Sequence, residues 1–529
     1  MPAFLRRYTL VLLALLACLG MPALALAHAA LNSSVPADGS VLAAAPAPIE
    51  LVFSEPVSPL ALRLIGPNGA SRSLDRFELK GSTVVIAVPA GLTTGTYALS
   101  WRVVSEDGHP VGGTVVFSIG APSKTAPETV EQVDTSVRLT VWLSRLGLYL
   151  GLFLGCGAAA SRAWVGPLTG AGRRFATVMT LLGFVCLPVA LGAQGLDAMG
   201  AQLGAVFQPA VWKAAMATSY LWTIIGAALA LTVSLIGIRM LEAAASVAGP
   251  LSVLLAGIAL ASSGHASAAH PQWLMRPAVL LHASAIALWV GALLPLALAL
   301  PTDRGRNALL RFSSGIAVIV AVLLLSGVVL AVVQVETPAA LLSTAYGRVL
   351  LAKLGLVAIA FLFAAINRWR LTRRVEAGDK PAAGIMARVV AVELTALVAV
   401  FGIAALWRFT PPPRAIMAAQ SQPASLHIHT LQAMADVTVS PGRAGPVSVE
   451  IVLMNGEFGP LPAKELSLSF SNPAAGIESI ERQAKLGPDG IWRVEDLTLP
   501  VSGRWEVELA ILISDFEMRR IKDVVVIRP

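Results

Sequence analysis

His28, Asp107 and His109 form a donor set suited to a transition metal, provided the chain is cut just before the first of them. Ala25 and Ala27 give the small-x-small pattern that a secretory signal peptidase reads, so cleavage after Ala27 leaves His28 as the first mature residue. Its freed α-amine and ring Nδ1 then chelate one ion. Asp107 and His109, within "SEDGHPVGG", flank Gly108, which lets both side chains turn toward one point. Amine, two imidazoles and a carboxylate make four nitrogen and oxygen ligands, the kind of set that Cu(II) prefers in tetragonal geometry. A Cu(I) site would use soft thioethers. After Met21 the next methionine is Met179, so the first domain offers none.

Other candidate donors lie further along the chain. "SSGHASAAHPQWLMRP" carries His265, His270 and Met275, and His282 follows. His270, Met275 and His282, with His265 nearby, are expected to form an entry site for metal released by the first domain, against the plainer reading of polar loop residues and an interhelical hydrogen bond. Arg145, Lys353 and Glu393 fall inside apolar segments, where ionisable residues are rare and usually functional. For Arg145 and Lys353 the competing reading is snorkelling toward an interface. Glu393 either carries a proton or cation or ties two helices together. In "LHIHT", His427 and His429 stand at i and i+2 on a strand, hence on one face, as a metal-bridging pair or a solvated one.

Those residues must be positioned by three unlike regions. Arg6 and Arg7, the apolar run "LVLLALLACLG" and Ala25–Ala27 read as a secretory signal, residues 1–27. An uncleaved anchor is the alternative, but so short a run does not cross a core of about 30 Å as a helix. Residues 28–120 alternate at period 2 in "IELVFSEPV", "TVVIAV", "TYALSWRVVS" and "GTVVFSIG", the pattern of a small Greek-key sandwich or barrel. A linker, 121–136, leads to a membrane domain over 137–409. Eight apolar spans are expected there, near 138–160, 175–194, 214–238, 246–263, 278–300, 312–334, 348–367 and 387–408. Residues 420–529 return to alternating strands, "VSVEIVLM", "LSLSFS" and "RWEVELAIL" among them, and read as a second sandwich. The fold class is therefore multidomain: two β-sandwiches flanking an eight-helix bundle.

Composition fits that division. Hydrophobic residues make up 56% and charged residues only 13%, where a soluble chain carries about 25% charged. The net charge of +8 comes largely from short loops. Arg162, Arg173, Arg174, Arg239, Arg304, Arg306, Arg311, Arg368, Arg370, Arg373, Arg374 and Lys380 all fall in the odd-to-even connections. Such loops stay in the cytoplasm, which puts both β-domains outside and gives no reason to expect a nucleic-acid partner. Cys18 leaves with the signal, and Cys156 and Cys186 lie within apolar spans, so the exported domains have no disulfide framework.

"HAALNSSVPADGSVLAAAPAPIELVFSEPV" and "VSEDGHPVGGTVVFSIG" resemble the CopC family of periplasmic copper-binding domains. "RPAVLLHASAIALWVGALLPL", "RFSSGIAVIVAVLLLSGVVLA" and "YGRVLLAKLGLVAIAFLFAAINRWRL" resemble the copper resistance D (CopD) family, and the C-terminal part is more loosely similar to YtkA-like domains. The resemblance implies a CopC–CopD fusion of the bacterial inner membrane, with Cu(II) on His28, Asp107 and His109. It implies no enzyme. The methionine-rich Cu(I) motif of some relatives is missing here.

The expected function is capture of Cu(II) in the periplasm and transport of copper across the membrane, with import the favoured direction and copper homeostasis or resistance the outcome. Periplasmic copper donors or reductants are the expected partners besides the bilayer. A periplasmic copper buffer or sensor is one alternative. A histidine-brace copper oxidase is another, but Asp107 would fill its open position. A haem protein is disfavoured because only His282 lies well inside a span and there is no CxxCH. No GxxxxGK[ST] supplies a nucleotide-driven pump.

Overall fold

The computed structural model describes residues 31–528, except 37, 54, 105–109, 124–133, 241, 421–422, 430–432, 456–458 and 515–516. His28, Asp107 and His109 lie outside the described residues.

The first domain is a two-sheet sandwich. One sheet orders Leu31–Val35, Ile49–Phe53, Thr83–Ile86 and Phe77–Lys80. The other orders Ser40–Leu42, Pro110–Ile119, Gly95–Val104, Ser58–Ile65 and Ser71–Ser73. Alternation drives the packing: Ile49, Leu51 and Phe53 face inward from one sheet, and Tyr97, Leu99, Trp101 and Val103 from the other. Phe53 meets Trp101 edge-on at 5.2 Å between ring centroids, and Tyr97 stacks on Phe117 at 5.7 Å. The C-terminal domain repeats the architecture over 424–527 with a five-stranded and a four-stranded sheet around the fully buried Trp505. Arg504 of this domain donates to the Asp38 carbonyl of the first, joining the two.

All eight expected spans are present, as helices long and apolar enough to cross a membrane. They are α1 (Thr135–Trp164), α2 (Gly170–Met199), α3 (Tyr220–Arg239), α4 (Glu242–Ala261), α5 (Gln272–Ala299), α6 (Gly305–Val335), α7 (Ala345–Glu376) and α8 (Lys380–Ala405). Helix α1 widens to a π-helix at Leu150–Cys156, and α7 does so at Asn367–Leu371. Both β-domains sit at the end where α1 begins and α8 finishes; the arginine-rich connections lie at the other. Arg162 caps α3 there, donating to the carbonyls of Gly237, Ile238 and Met240. Asp379 caps α8 through the Ala382 N–H, which with Arg374 holds its carboxyl below the usual carboxylate range.

Apolar side chains gain little by leaving lipid for one another, so close backbone approach holds such bundles together. Helices α1 and α5 meet at Gly157 and Gly291, where a β-carbon on Gly157 would stand 1.9 Å from the Ala287 carbonyl oxygen. No side chain fits. Gly157→Val is therefore expected to cost about 1–3 kcal/mol or more by overpacking. Gly355→Ala on α7, with open space around it, is the neutral control. Thermal unfolding of both variants in nanodiscs checks this; equal midpoints would refute the close contact.

Candidate functional site

Although the loop 105–109 itself is not described, its frame is. Val104 pairs with Pro110 across the mouth of that hairpin, and Ser58 pairs with Val104. Ser58 follows Phe53 closely, and Phe53 is the partner of Leu31. The register thus brings Leu31, three residues after His28, to the same end of the sandwich as the hairpin. Glu55 sits in the Phe53–Ser58 connection and is only 5% exposed. Sequence reading passed over this buried carboxylate, though an acid between apolar strands in "VFSEPV" was the available signal.

A cavity of about 920 Å³ runs from the first β-domain into the helix bundle. Arg102, Val111 and Gly112 of the β-domain line its upper end, so the strand leaving the 105–109 hairpin forms part of its wall. Its lower reaches are lined by Leu323 of α6, Val357 of α7 and Leu397 of α8. Arg145, His265, His282 and Lys353 all face it. His270, Met275 and Glu393 do not line it. Met275 is fully buried because α5 turns that face into the bundle, and His270 is exposed, its carbonyl accepting from Arg414.

His282 has the best-defined chemistry. Its Nδ1 lies 3.2 Å from the Leu323 carbonyl and 3.2 Å from Ser326 Oγ. Ser326 Oγ is 2.6 Å from the Val322 carbonyl and donates its proton there. A carbonyl only accepts, so the proton of the imidazole belongs on Nδ1. The Nε2 lone pair is then left to the cavity, the tautomer a metal ligand needs.

The basic residues are held by aromatic rings and amides. Arg145 donates to Gln194 Oε1 at 3.2 Å and lies 4.8 Å from the centre of the Tyr220 ring. Lys353 Nζ stands 4.6 Å above the Trp407 ring. Asp197, near the end of α2, pairs with Arg408, and its backbone carbonyl accepts from Arg102 at 3.1 Å. That bridge fixes the β-domain over the cavity.

Glu393 lies near the middle of α8, one helical turn beyond Leu397, at 2% exposure. Its Oε1 and the Oδ1 of Asn367, on the π-helical stretch of α7 packed against α8, are both buried without a hydrogen-bond partner. In the C-terminal domain, His427 Nδ1 is 2.5 Å from Asp436 Oδ1 on the neighbouring strand. His429 is on the same strand, opposite Met434. Among the described residues no three His, Cys, Asp or Glu side chains gather as a metal site.

Comparison with known proteins places these parts. Residues 31–120 match the CopC domain, and residues 306–407 match copper resistance protein D. The chain is 26% identical to the copper transport protein CutJ of Bacillus subtilis over 540 aligned residues, covering 94% of this chain and 95% of CutJ. Copper resistance protein C of Pseudomonas syringae pv. tomato is 38% identical, with 18% of this chain and 84% of that protein covered. The crystal structure of PcoC, a methionine-rich copper resistance protein from Escherichia coli, matches 18% of this chain and 99% of its own at 32% identity, with a TM-score of 0.16. With a CopC domain in front of a copper resistance protein D domain, the chain belongs to the CopC family and is a CopC–CopD fusion.

Proposed function

We propose that this protein captures Cu(II) outside the bacterial inner membrane and passes copper inward through its helix bundle, contributing to copper homeostasis and resistance. Capture falls to the His28 amine and imidazole, Asp107 and His109, at the end of the sandwich where Glu55 is buried. The observation that carries the reading is the shared cavity: the strand leaving the 105–109 hairpin and His282 line one continuous space. The space that begins beside the β-domain is the one that His282 faces. His265 lies on that route, whereas His270 and Met275 are off it.

Orientation follows from charge. The arginine-rich connections at the end away from the β-domains belong in the cytoplasm, leaving both sandwiches in the periplasm. Glu393, one helical turn nearer the start of α8 than the cavity-lining Leu397, is the group to which we assign the next step of the inward path. The C-terminal His427, already engaged by Asp436, is a secondary metal contact at most. A buffer or sensor needs no cavity reaching mid-bundle, which favours transport over storage.

The test is radiocopper uptake into sealed proteoliposomes of the full, signal-cleaved chain. Copper is expected to accumulate well above protein-free vesicles. Vesicles that hold no extra internal copper, from a protein that still binds it, would make the chain a store or sensor.

A further inference from the structure

The charge of the cavity is opposite to what a metal-cation path calls for. Among the described residues its charged lining is Arg102, Arg138, Arg145, Lys353 and Arg408 against a single carboxylate, Asp197. Asp197 is already taken by Arg408. Arg138 rests 4.7 Å from the Phe409 ring centre, as Lys353 does on Trp407 and Arg145 on Tyr220. Among the described residues, Arg138, Arg145 and Lys353 have no acidic partner. Low-dielectric walls concentrate the field of such groups, so a bare copper cation is repelled and an anion is drawn in. Aromatic faces soften the charges without neutralising them.

Size points the same way. A cavity of about 920 Å³ is far larger than a metal ion requires, and spaces of about 300–1,000 Å³ hold organic ligands. Tyr149, Tyr220, Tyr346 and Trp407 give it the apolar walls of such a site. His282 Nε2 is a single nitrogen donor. One imidazole does not replace a full coordination shell, so copper meeting it keeps other ligands.

We propose that copper enters this cavity as an anionic small-molecule complex, held through carboxylate ligands, whose surplus negative charge is met by Lys353 and Arg145 while His282 faces the metal. The inference rests on the transport reading and names the form of its cargo. No bond to the protein is made or broken beyond exchange of one ligand position on copper for His282 Nε2. Lys353 positions the complex by charge, so arginine is expected to substitute for it and methionine is not.

The probe is Cu(II)–citrate, with radiocopper for uptake into proteoliposomes and radiocarbon citrate for equilibrium binding in nanodiscs. Wild type is expected to bind citrate in the presence of copper and to lose uptake when copper-free citrate is added in excess. Lys353→Met should lower both binding and uptake about tenfold, and Lys353→Arg should restore both. The cationic bis(ethylenediamine) complex of Cu(II) is expected not to compete. Citrate binding that is absent, or equal in wild type and Lys353→Met, overturns the proposal even if copper is transported. Citrate binding that depends on Lys353 in vesicles that take up no copper upholds the anion site and instead removes the transport reading.

Discussion

His282→Ala should lower copper uptake into proteoliposomes by about 10–100-fold, the range lost when even an outer partner of a metal ligand is removed. The full chain should meanwhile keep its tight Cu(II) affinity. The argument is one of protons. Because Ser326 spends its hydroxyl proton on the Val322 carbonyl, the Leu323 carbonyl accepts from Nδ1, and Nε2 presents a lone pair to the cavity. Alanine removes that donor, and among the described lining His265 is then the one imidazole left beside arginine, lysine, aromatic and amide groups and the Arg408-paired Asp197. Ser326→Ala tests the tautomer separately. The Leu323 carbonyl still fixes Nδ1–H, so a smaller loss is expected. Uptake unchanged by His282→Ala would take the residue off the path; a collapse of both uptake and Cu(II) affinity would mean that the variant had misfolded.

What could be read from the sequence was whatever depends on local pattern. Eight spans were legible because apolar stretches of about 20 residues have no other stable home, and the sandwich strands because Ile49, Leu51 and Phe53 alternate with polar neighbours. Arg145, Lys353 and His282 each stood out singly, yet nothing in their spacing shows that three helices turn them onto one cavity. The Asp197–Arg408 pair spans 211 residues of sequence and has no local signature. Met275 shows the converse. It is close to His282 in sequence, but the rotation of α5 buries it away from the cavity. Helix rotation is set by contacts such as Gly157 against Gly291, which depend on two distant positions at once. The likeness of the C-terminal domain to YtkA-like domains still rests on sequence pattern alone.

At the capture site, His28→Ala should weaken Cu(II) binding by the full chain about a hundredfold, measured by competition with a chelator of known affinity. The native residue is expected to bind twice, through its amine and its ring, so losing the imidazole also loses the chelate. Blocking cleavage with Arg at both Ala25 and Ala27 removes the amine instead and should cost a similar amount although His28 is still present. That second variant separates a terminal chelate from an ordinary histidine ligand. Protons give a further reading. Imidazole and α-amine titrate near about 6.5 and about 8 when free, and copper binds only their unprotonated forms, so wild-type affinity should fall as pH drops through that range. The uncleaved variant has no amine to titrate and should show a shallower fall above neutrality. Leu31 and the Val104–Pro110 pair that flanks residues 105–109 share one end of the sandwich, so the strand order allows His28 to reach Asp107 and His109. Equal affinity and equal pH slope in the cleaved and uncleaved chains would leave that convergence without a metal to serve.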